Sequence, residues 1–155
     1  MKKQKNRWIM LFCICCNTFC FGGVYAWSAF SGELANYMGW DYSKVTVAYS
    51  IMLMCVALMG LVGGMLLQRF GARKLMIAAG IMWGLGWFAT GMAGSIIMLY
   101  ASFGILAGCA SGFGYNPGVV TAVSWFPDKK GFASGMAVGT CGMASLIVAP
   151  LANFL

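Results

Sequence analysis

The sequence predicts an all-α membrane protein with about five transmembrane helices, and its composition and its pattern both lead to that fold class. The 155 residues are 61% hydrophobic and 8% charged, whereas a soluble domain carries about 25% charged residues. Mean hydropathy is +0.83. The apolar residues also fall into long runs, and about 20 of them suffice to span a bilayer. We therefore expect a protein integral to a lipid bilayer.

The apolar runs define the predicted helices. We place these at residues 8–30, 43–67, 75–92, 96–125 and 132–155. The first run follows a basic tail, as the apolar core of a secretory signal peptide does. It is longer than the apolar core of such a signal and no Ala-x-Ala cleavage site follows it, so we expect it to be kept as the first span.

The basic residues predict how the chain is oriented. Nine of the ten Lys and Arg residues lie in the N-terminal tail and in the turns after the second and fourth predicted helices, and only Lys44 lies on the other side. Such residues accumulate on the cytoplasmic side. We therefore expect an N-terminus in the cytoplasm and a location in the cell membrane. The net charge of +7 then serves orientation, and no nucleic-acid partner is predicted.

The sequence contains no pattern typical of an enzyme or a metal site. It has no histidine, and its seven cysteines all fall within apolar runs. The four cysteines between residues 13 and 20 lack paired CxxC units and a loop that could wrap a metal. No glycine cluster precedes the Lys-Ser/Thr pair of a phosphate-binding loop. We expect no enzyme activity, no cofactor and no metal.

The stretch from Gly112 to Gly118 places polar groups inside an apolar run. It reads Gly-Phe-Gly-Tyr-Asn-Pro-Gly, and polar or bent backbone at membrane depth is tolerated where it lines a cavity or another helix. We predict that Tyr115 and Asn116 line a solute path together with Tyr25 and Trp27 of the first run. Packing or interfacial roles for Tyr25 and Trp27 remain the alternative.

Charged groups are nearly absent from the predicted spans. Apart from Lys44 at the start of the second, these runs contain no Asp, Glu, Lys or Arg. A charge inside a membrane is costly and usually functional. This part of the chain therefore offers a solute hydroxyls, amides and aromatic edges rather than a fixed counter-ion.

Glycines recur at every fourth position in two of the predicted helices. Residues four apart share one face of a helix, and small residues let membrane helices approach closely. We predict that both repeats contact another helix: Gly104, Gly108 and Gly112 in the fourth span, and Gly131, Gly135 and Gly139 in the fifth.

The turn at residues 64–74 resembles a loop of the major facilitator superfamily. That family has Gly-x-Leu-x-Asp-Arg-x-Gly-x-Arg-Lys between its second and third helices, and the matching positions here are Gly64, Gln68, Arg69, Gly71, Arg73 and Lys74. The resemblance implies a role for this loop in closing the cytoplasmic gate. Gln68 stands where the family usually has aspartate, and an amide cannot form an ion pair.

A narrower resemblance covers most of the chain. The matching segments lie at residues 7–8, 25–28 (Tyr-Ala-Trp-Ser), 125–135 (Trp-Phe-Pro-Asp-Lys-Lys-Gly-Phe-Ala-Ser-Gly) and 149–151. They are similar to the oxalate/formate antiporter family, whose relatives include lactate and pyruvate transporters.

This resemblance implies transport of a small organic anion, with Tyr25 and Tyr115 matching two tyrosines of an aromatic cage around a small carboxylate. Val24 stands where the oxalate transporter has a polar residue. The basic residues that neutralise the anion in that family lie in its C-terminal half.

The resemblance and the abrupt end of the fifth run lead us to expect the N-terminal half of a major facilitator transporter, with its C-terminal half missing. The expected partners are a small organic anion, either a mono- or a dicarboxylate, the bilayer and that missing half. Uniport, symport and antiport stay open. The alternatives are a facilitator exporting another class of solute and a small membrane protein that binds partners without transport. A cationic drug exporter would call for acidic residues in the spans.

Overall fold

The computed structural model describes residues 7–154, and within that range it leaves aside the side chains of residues 26, 28–30 and 148–154. The basic tail before Arg7 and the last residue lie outside this range. No strand occurs in residues 7–154. The elements are α1 (Arg7–Phe21), a 3₁₀ segment (Gly22–Ala26), α2 (Trp27–Met38), α3 (Tyr42–Phe70), α4 (Ala72–Gly91), α5 (Ile96–Leu99), a π-helical segment (Tyr100–Ala107), α6 (Gly108–Trp125), a 3₁₀ turn (Pro127–Lys129) and α7 (Lys130–Phe154).

The chain is an integral membrane protein built from apolar helices. Within residues 7–154, three stretches are long and apolar enough to cross a membrane: Arg7–Tyr25, Tyr42–Phe70 and Ile96–Trp125. Helices α4 and α7 lie where the third and fifth spans were predicted, but neither is among these three stretches. The predicted count of five spans is therefore not confirmed.

The first apolar run is broken, although the sequence suggested one span over residues 8–30. Its α-helix stops at Phe21, continues as the 3₁₀ segment and resumes as α2, which reaches Met38. At the break, a Cβ on Gly22 would collide with the Cys141 carbonyl oxygen and would lie 2.6 Å from the Ala144 Cβ. The backbone of the first run thus crosses α7 at very close range. Helix α2 extends past residue 30, where the apolar run ends, because a helix can continue beyond the hydrocarbon core of a membrane.

Helix α6 is the central element, since it packs against α1, α3, α4 and α7, with α3 as its most extensive partner. Aromatic rings fill the space around it. Phe21 meets Trp83 edge to face at 5.1 Å between ring centroids, and Trp27 stacks on Phe103 at 3.8 Å. A smaller cluster around Leu11, Ile14 and Phe126 joins α1 to the start of α7.

The first glycine repeat lies directly against α3. A Cβ on Gly104 would be 3.0 Å from the Ile51 Cγ2, one on Gly108 would be 2.8 Å from the Cys55 Cβ, and one on Gly112 would be 2.8 Å from the Met59 Cβ. These partners follow one another at successive turns of α3. Glycine occupies the three positions because the neighbouring helix leaves no room for a side chain.

The second glycine repeat does not contact a helix in the described part of the chain, so its contact with another helix stays a prediction. Gly131, Gly135 and Gly139 face outward, and a Cβ on any of them would meet open space. Helix α7 instead buries a stripe of small residues at the same spacing: Ala133, Ala137, Cys141 and Ala144. Alanine on this stripe permits the same close approach that glycine does.

The two basic turns differ in their contacts. Gly71 ends α3 with a φ of 79°, a conformation that glycine adopts without strain. Around it, Gln68, Arg69, Arg73 and Lys74 are all exposed, and Gly64 has open space beside it. At the other turn, Arg7 Nη1 lies 3.8 Å from Asp128 Oδ2, and the guanidinium lies 5.4 Å from the centroid of the Phe126 ring. The start of α1 and the α6–α7 turn are therefore at the same end of the molecule.

Candidate functional site

A cavity of about 80 Å³ lies where the 3₁₀ segment faces α3, α6 and α7, and we call it the central cavity. The structure brings Tyr25 and Tyr115, two of the predicted site residues, into its wall from different helices. The complete lining is Phe21, Val24, Tyr25, Leu53, Val56, Ser111, Tyr115 and Cys141.

A second pocket of about 270 Å³ shares Tyr25, Tyr115 and Cys141 with the central cavity and extends along α7 to Ser145. The Tyr25 side chain is 55% exposed. Among the side chains that the structure describes, neither tyrosine hydroxyl has a hydrogen-bond partner. Both O–H groups are therefore free to donate to a ligand in the space that they share.

Glycine and proline position Tyr115 in the wall of the central cavity. A Cβ on Gly114 would collide with the Phe21 ring, which packs directly on the backbone beside Tyr115. Pro117 is fully buried and lies inside α6, which continues through it. Proline has no N–H, so the carbonyl four residues earlier loses its usual helical donor. The Thr121 hydroxyl donates to the Pro117 carbonyl at 2.6 Å.

Two predicted site residues lie elsewhere. Asn116 is exposed and its amide rests against Gly60 of α3, where a Cβ would collide with it. Trp27 is only 5% exposed and stacks on Phe103. Neither lines the central cavity, since residues one or two positions apart in a helix face different neighbours.

Six of the eight lining residues were absent from the sequence prediction, and two of these six, Ser111 and Cys141, carry a hydroxyl or a thiol. Ser111 is buried and lies four residues before Tyr115, so the helical repeat on the Tyr115 face could have identified it. Cys141 is 4% exposed and borders both pockets. Nothing in the sequence distinguishes this cysteine from the other packing cysteines.

The lining determines what chemistry the central cavity can support. It consists of two phenols, one hydroxyl and one thiol on an otherwise apolar wall, with no Lys, Arg, Asp or Glu among the lining residues. A phenol can donate to a carboxylate while its ring covers apolar atoms. Residues 7–154 contain no group of three His, Cys, Asp or Glu side chains placed to hold a metal. The arrangement is suited to binding a small polar solute.

Known proteins that resemble this chain are membrane transporters. The family model described as Major Facilitator Superfamily matches residues 7–155. The chain is 36% identical over 143 residues to the MFS-type transporter YhjX of Escherichia coli (strain K12), an alignment that covers 92% of this chain and 36% of that protein.

Two further relatives carry names that state what they transport. The oxalate:formate antiporter of Oxalobacter formigenes is 32% identical over 147 residues, which cover 94% of this chain and 35% of the relative. Monocarboxylate transporter 3 of Mus musculus is 28% identical over 149 residues, covering 96% and 30% respectively. The chain thus spans roughly a third of the length of these relatives, which are transporters and not enzymes.

Proposed function

The chain belongs to the major facilitator superfamily, and from this premise we propose that it is the N-terminal part of a transporter that carries a small mono- or dicarboxylate across the cell membrane. The observation that carries the proposal is the meeting of Tyr25 and Tyr115 in one uncharged cavity. The names of two relatives, an oxalate:formate antiporter and a monocarboxylate transporter, support the same class of solute.

In this proposal the two phenols bind the carboxylate and the remainder of the protein balances its charge. A hydrogen bond to a charged group contributes about 1.5–3 kcal/mol, but burying an ionised carboxylate without a counter-charge is very costly. No basic residue lines the central cavity. The basic partner must therefore come from the roughly two-thirds of the transporter that lies outside this chain, and the anion would bind between the two parts during alternating access.

We further propose that the start of α1 and the turns after α3 and α6 face the cytoplasm. The Arg7–Asp128 contact joins the first and last of these, and the exposed Arg69, Arg73 and Lys74 mark the turn after α3. In this arrangement the turn after α3 contributes to the cytoplasmic gate, and Gln68 acts there through hydrogen bonds alone.

Labelling of single cysteines tests the orientation in the full-length protein after its native cysteines have been replaced. Lys129→Cys should react with a membrane-impermeant maleimide only after the cells are opened, whereas Tyr37→Cys, at an 86% exposed position on the opposite side, should react in intact cells. The reverse pattern would contradict the proposed orientation.

Transport by the full-length protein tests the function itself. Purified protein in liposomes preloaded with the same unlabelled anion should take up labelled formate, oxalate, lactate or pyruvate in a saturable manner, above the level of protein-free liposomes. A labelled lipophilic cation serves as the control solute. Uptake of the cation alone, or of none of the four anions, would overturn the proposal.

A further inference from the structure

A third pocket of about 190 Å³ lies between the 3₁₀ segment, α2 and the beginning of α3, and we call it the outer pocket. It also borders Tyr25, which lines all three pockets. Each lining residue carries a hydroxyl, except Trp27, which carries an indole N–H. The lining is Tyr25, Trp27, Ser31, Tyr42, Thr46 and Tyr49.

The outer pocket has donors that lack acceptors. The Trp27 indole N–H is buried and has no hydrogen-bond partner within the described residues, although buried polar groups in proteins nearly always have one. Stacking on Phe103 fixes the indole ring in place. The Tyr42 and Tyr49 hydroxyls also make no hydrogen bond in that part of the chain. A ligand rich in acceptor atoms would accept hydrogen bonds from these two hydroxyls, with Trp27 forming part of the pocket wall.

The position of the outer pocket favours an anion. Tyr42 is the first residue of α3, a helix of 29 residues, and the positive end of a helix dipole attracts negative charge. Lys44 lies in the same turn, although its ammonium pairs with Asp41 at 3.2 Å. This end of α3 is opposite to the basic turn at residues 68–74, so under the proposed orientation the outer pocket faces the outside of the cell.

We propose that the outer pocket is a second carboxylate-binding site, which the anion occupies before it passes Tyr25 into the central cavity. This inference rests on the proposed function. A water molecule takes up about 30 Å³ in the liquid, so a cavity of about 190 Å³ accommodates a carboxylate of a few heavy atoms. No basic residue lines the pocket. Binding there is therefore weak, as a site that passes its ligand onward requires.

The Trp27 indole N–H provides a direct spectroscopic probe. The full-length protein is labelled with ¹⁵N at its tryptophan indoles and placed in lipid nanodiscs, and formate and oxalate are titrated while indole resonances are recorded. Comparison with Trp27→Phe identifies the resonance. We expect it to shift saturably as the anion fills the pocket that the Trp27 side chain lines. Trp87 is the matched control, because its indole N–H is also buried without a partner but does not line the outer pocket.

Two variants establish that the effect is local. Tyr49→Phe removes one donor and should weaken the Trp27 titration about tenfold. Tyr37→Phe changes an exposed phenol outside the pocket and should leave the titration unchanged. A Trp27 resonance that does not respond, or responds equally in Tyr49→Phe, would overturn the outer pocket as a binding site.

The same preparations separate the two proposals. If the wild type transports a carboxylate while the Trp27 resonance stays fixed, the outer pocket is not a carboxylate-binding site and the proposed function stands. If no carboxylate is transported, the proposed function fails, and the inference that rests on it fails as well.

Discussion

Gly104–Gly112 and Gly131–Gly139 carry glycine at the same four-residue spacing, yet the structure places them in opposite surroundings. The first repeat lies against α3 with no room for a Cβ, and the second faces open space. Helix α7 packs through Ala133 and Ala137 instead. Spacing therefore determines which residues share a face, but the position of the neighbouring helix decides whether that face is buried.

The sharpest test of this difference is a large side chain in each repeat. Gly112→Leu should abolish folding, because even its Cβ would lie 2.8 Å from the Met59 Cβ and 2.9 Å from the Gly60 backbone nitrogen. Gly139→Leu should be folded, since a Cβ there has no neighbour. The monodisperse fraction of full-length protein in size-exclusion chromatography measures both. Equal losses would show that both faces are buried in the complete transporter.

Alanine at one position of each glycine repeat adds a single methyl group and tests the same difference between the repeats with a smaller change. Gly108→Ala should destabilise the protein by about 1–3 kcal/mol, the usual cost of overpacking, because its Cβ would approach that of Cys55 to 2.8 Å. Gly135→Ala should be neutral or stabilise by about 0.5–1 kcal/mol, since glycine is unfavourable in a helix interior. The unfolding midpoints of wild type and both variants, measured in the same detergent, test these two expected stabilities. A destabilised Gly135→Ala would contradict an open α7 face.

A smaller effect should follow from removing a hydrogen bond near the first repeat. The Thr90 hydroxyl of α4 shares its one proton between the Gly86 carbonyl at 2.7 Å and the Ser102 hydroxyl at 3.2 Å, and hydrogen bonds between membrane helices contribute about 0.6 kcal/mol on average. Ser102→Ala should therefore cost less than Gly108→Ala in the same unfolding assay. Ser134→Ala on α7 is the control, because that hydroxyl bonds only within its own helix. A loss as large as that of Gly108→Ala would mean that the contact between Ser102 and Thr90 of α4 stabilises the protein as much as the close fit of Gly108 against α3.

Features encoded in a single helix could be predicted from the sequence. Apolar runs gave the helical class, and Gly71 marked the turn after α3 because only a residue tolerant of positive φ fits there. The break after Phe21 could not be predicted, since it accompanies the approach of Gly22 to the Cys141 carbonyl, 119 residues away in sequence. The π-helical segment likewise has no local signal.

The candidate site shows the same limit. Tyr25 and Tyr115 could be named because a phenol in an apolar run is conspicuous, and the structure places both beside one cavity. Asn116 was equally conspicuous, but its amide meets Gly60. Which side of α6 faces the cavity depends on where α3 and α7 lie, and the sequence of α6 alone does not contain that information.

We propose that the side of α6 facing α7 binds a carboxylate through Tyr115, together with Tyr25. The most direct test is the affinity of the full-length protein for its transported anion, measured for wild type, Tyr115→Phe and Tyr25→Phe, with Tyr37→Phe as control. Each cavity variant should bind the anion about 10- to 100-fold more weakly, because one hydrogen bond to a charged group is lost while the ring remains. The control should match wild type. Wild-type affinity in both cavity variants would contradict the account.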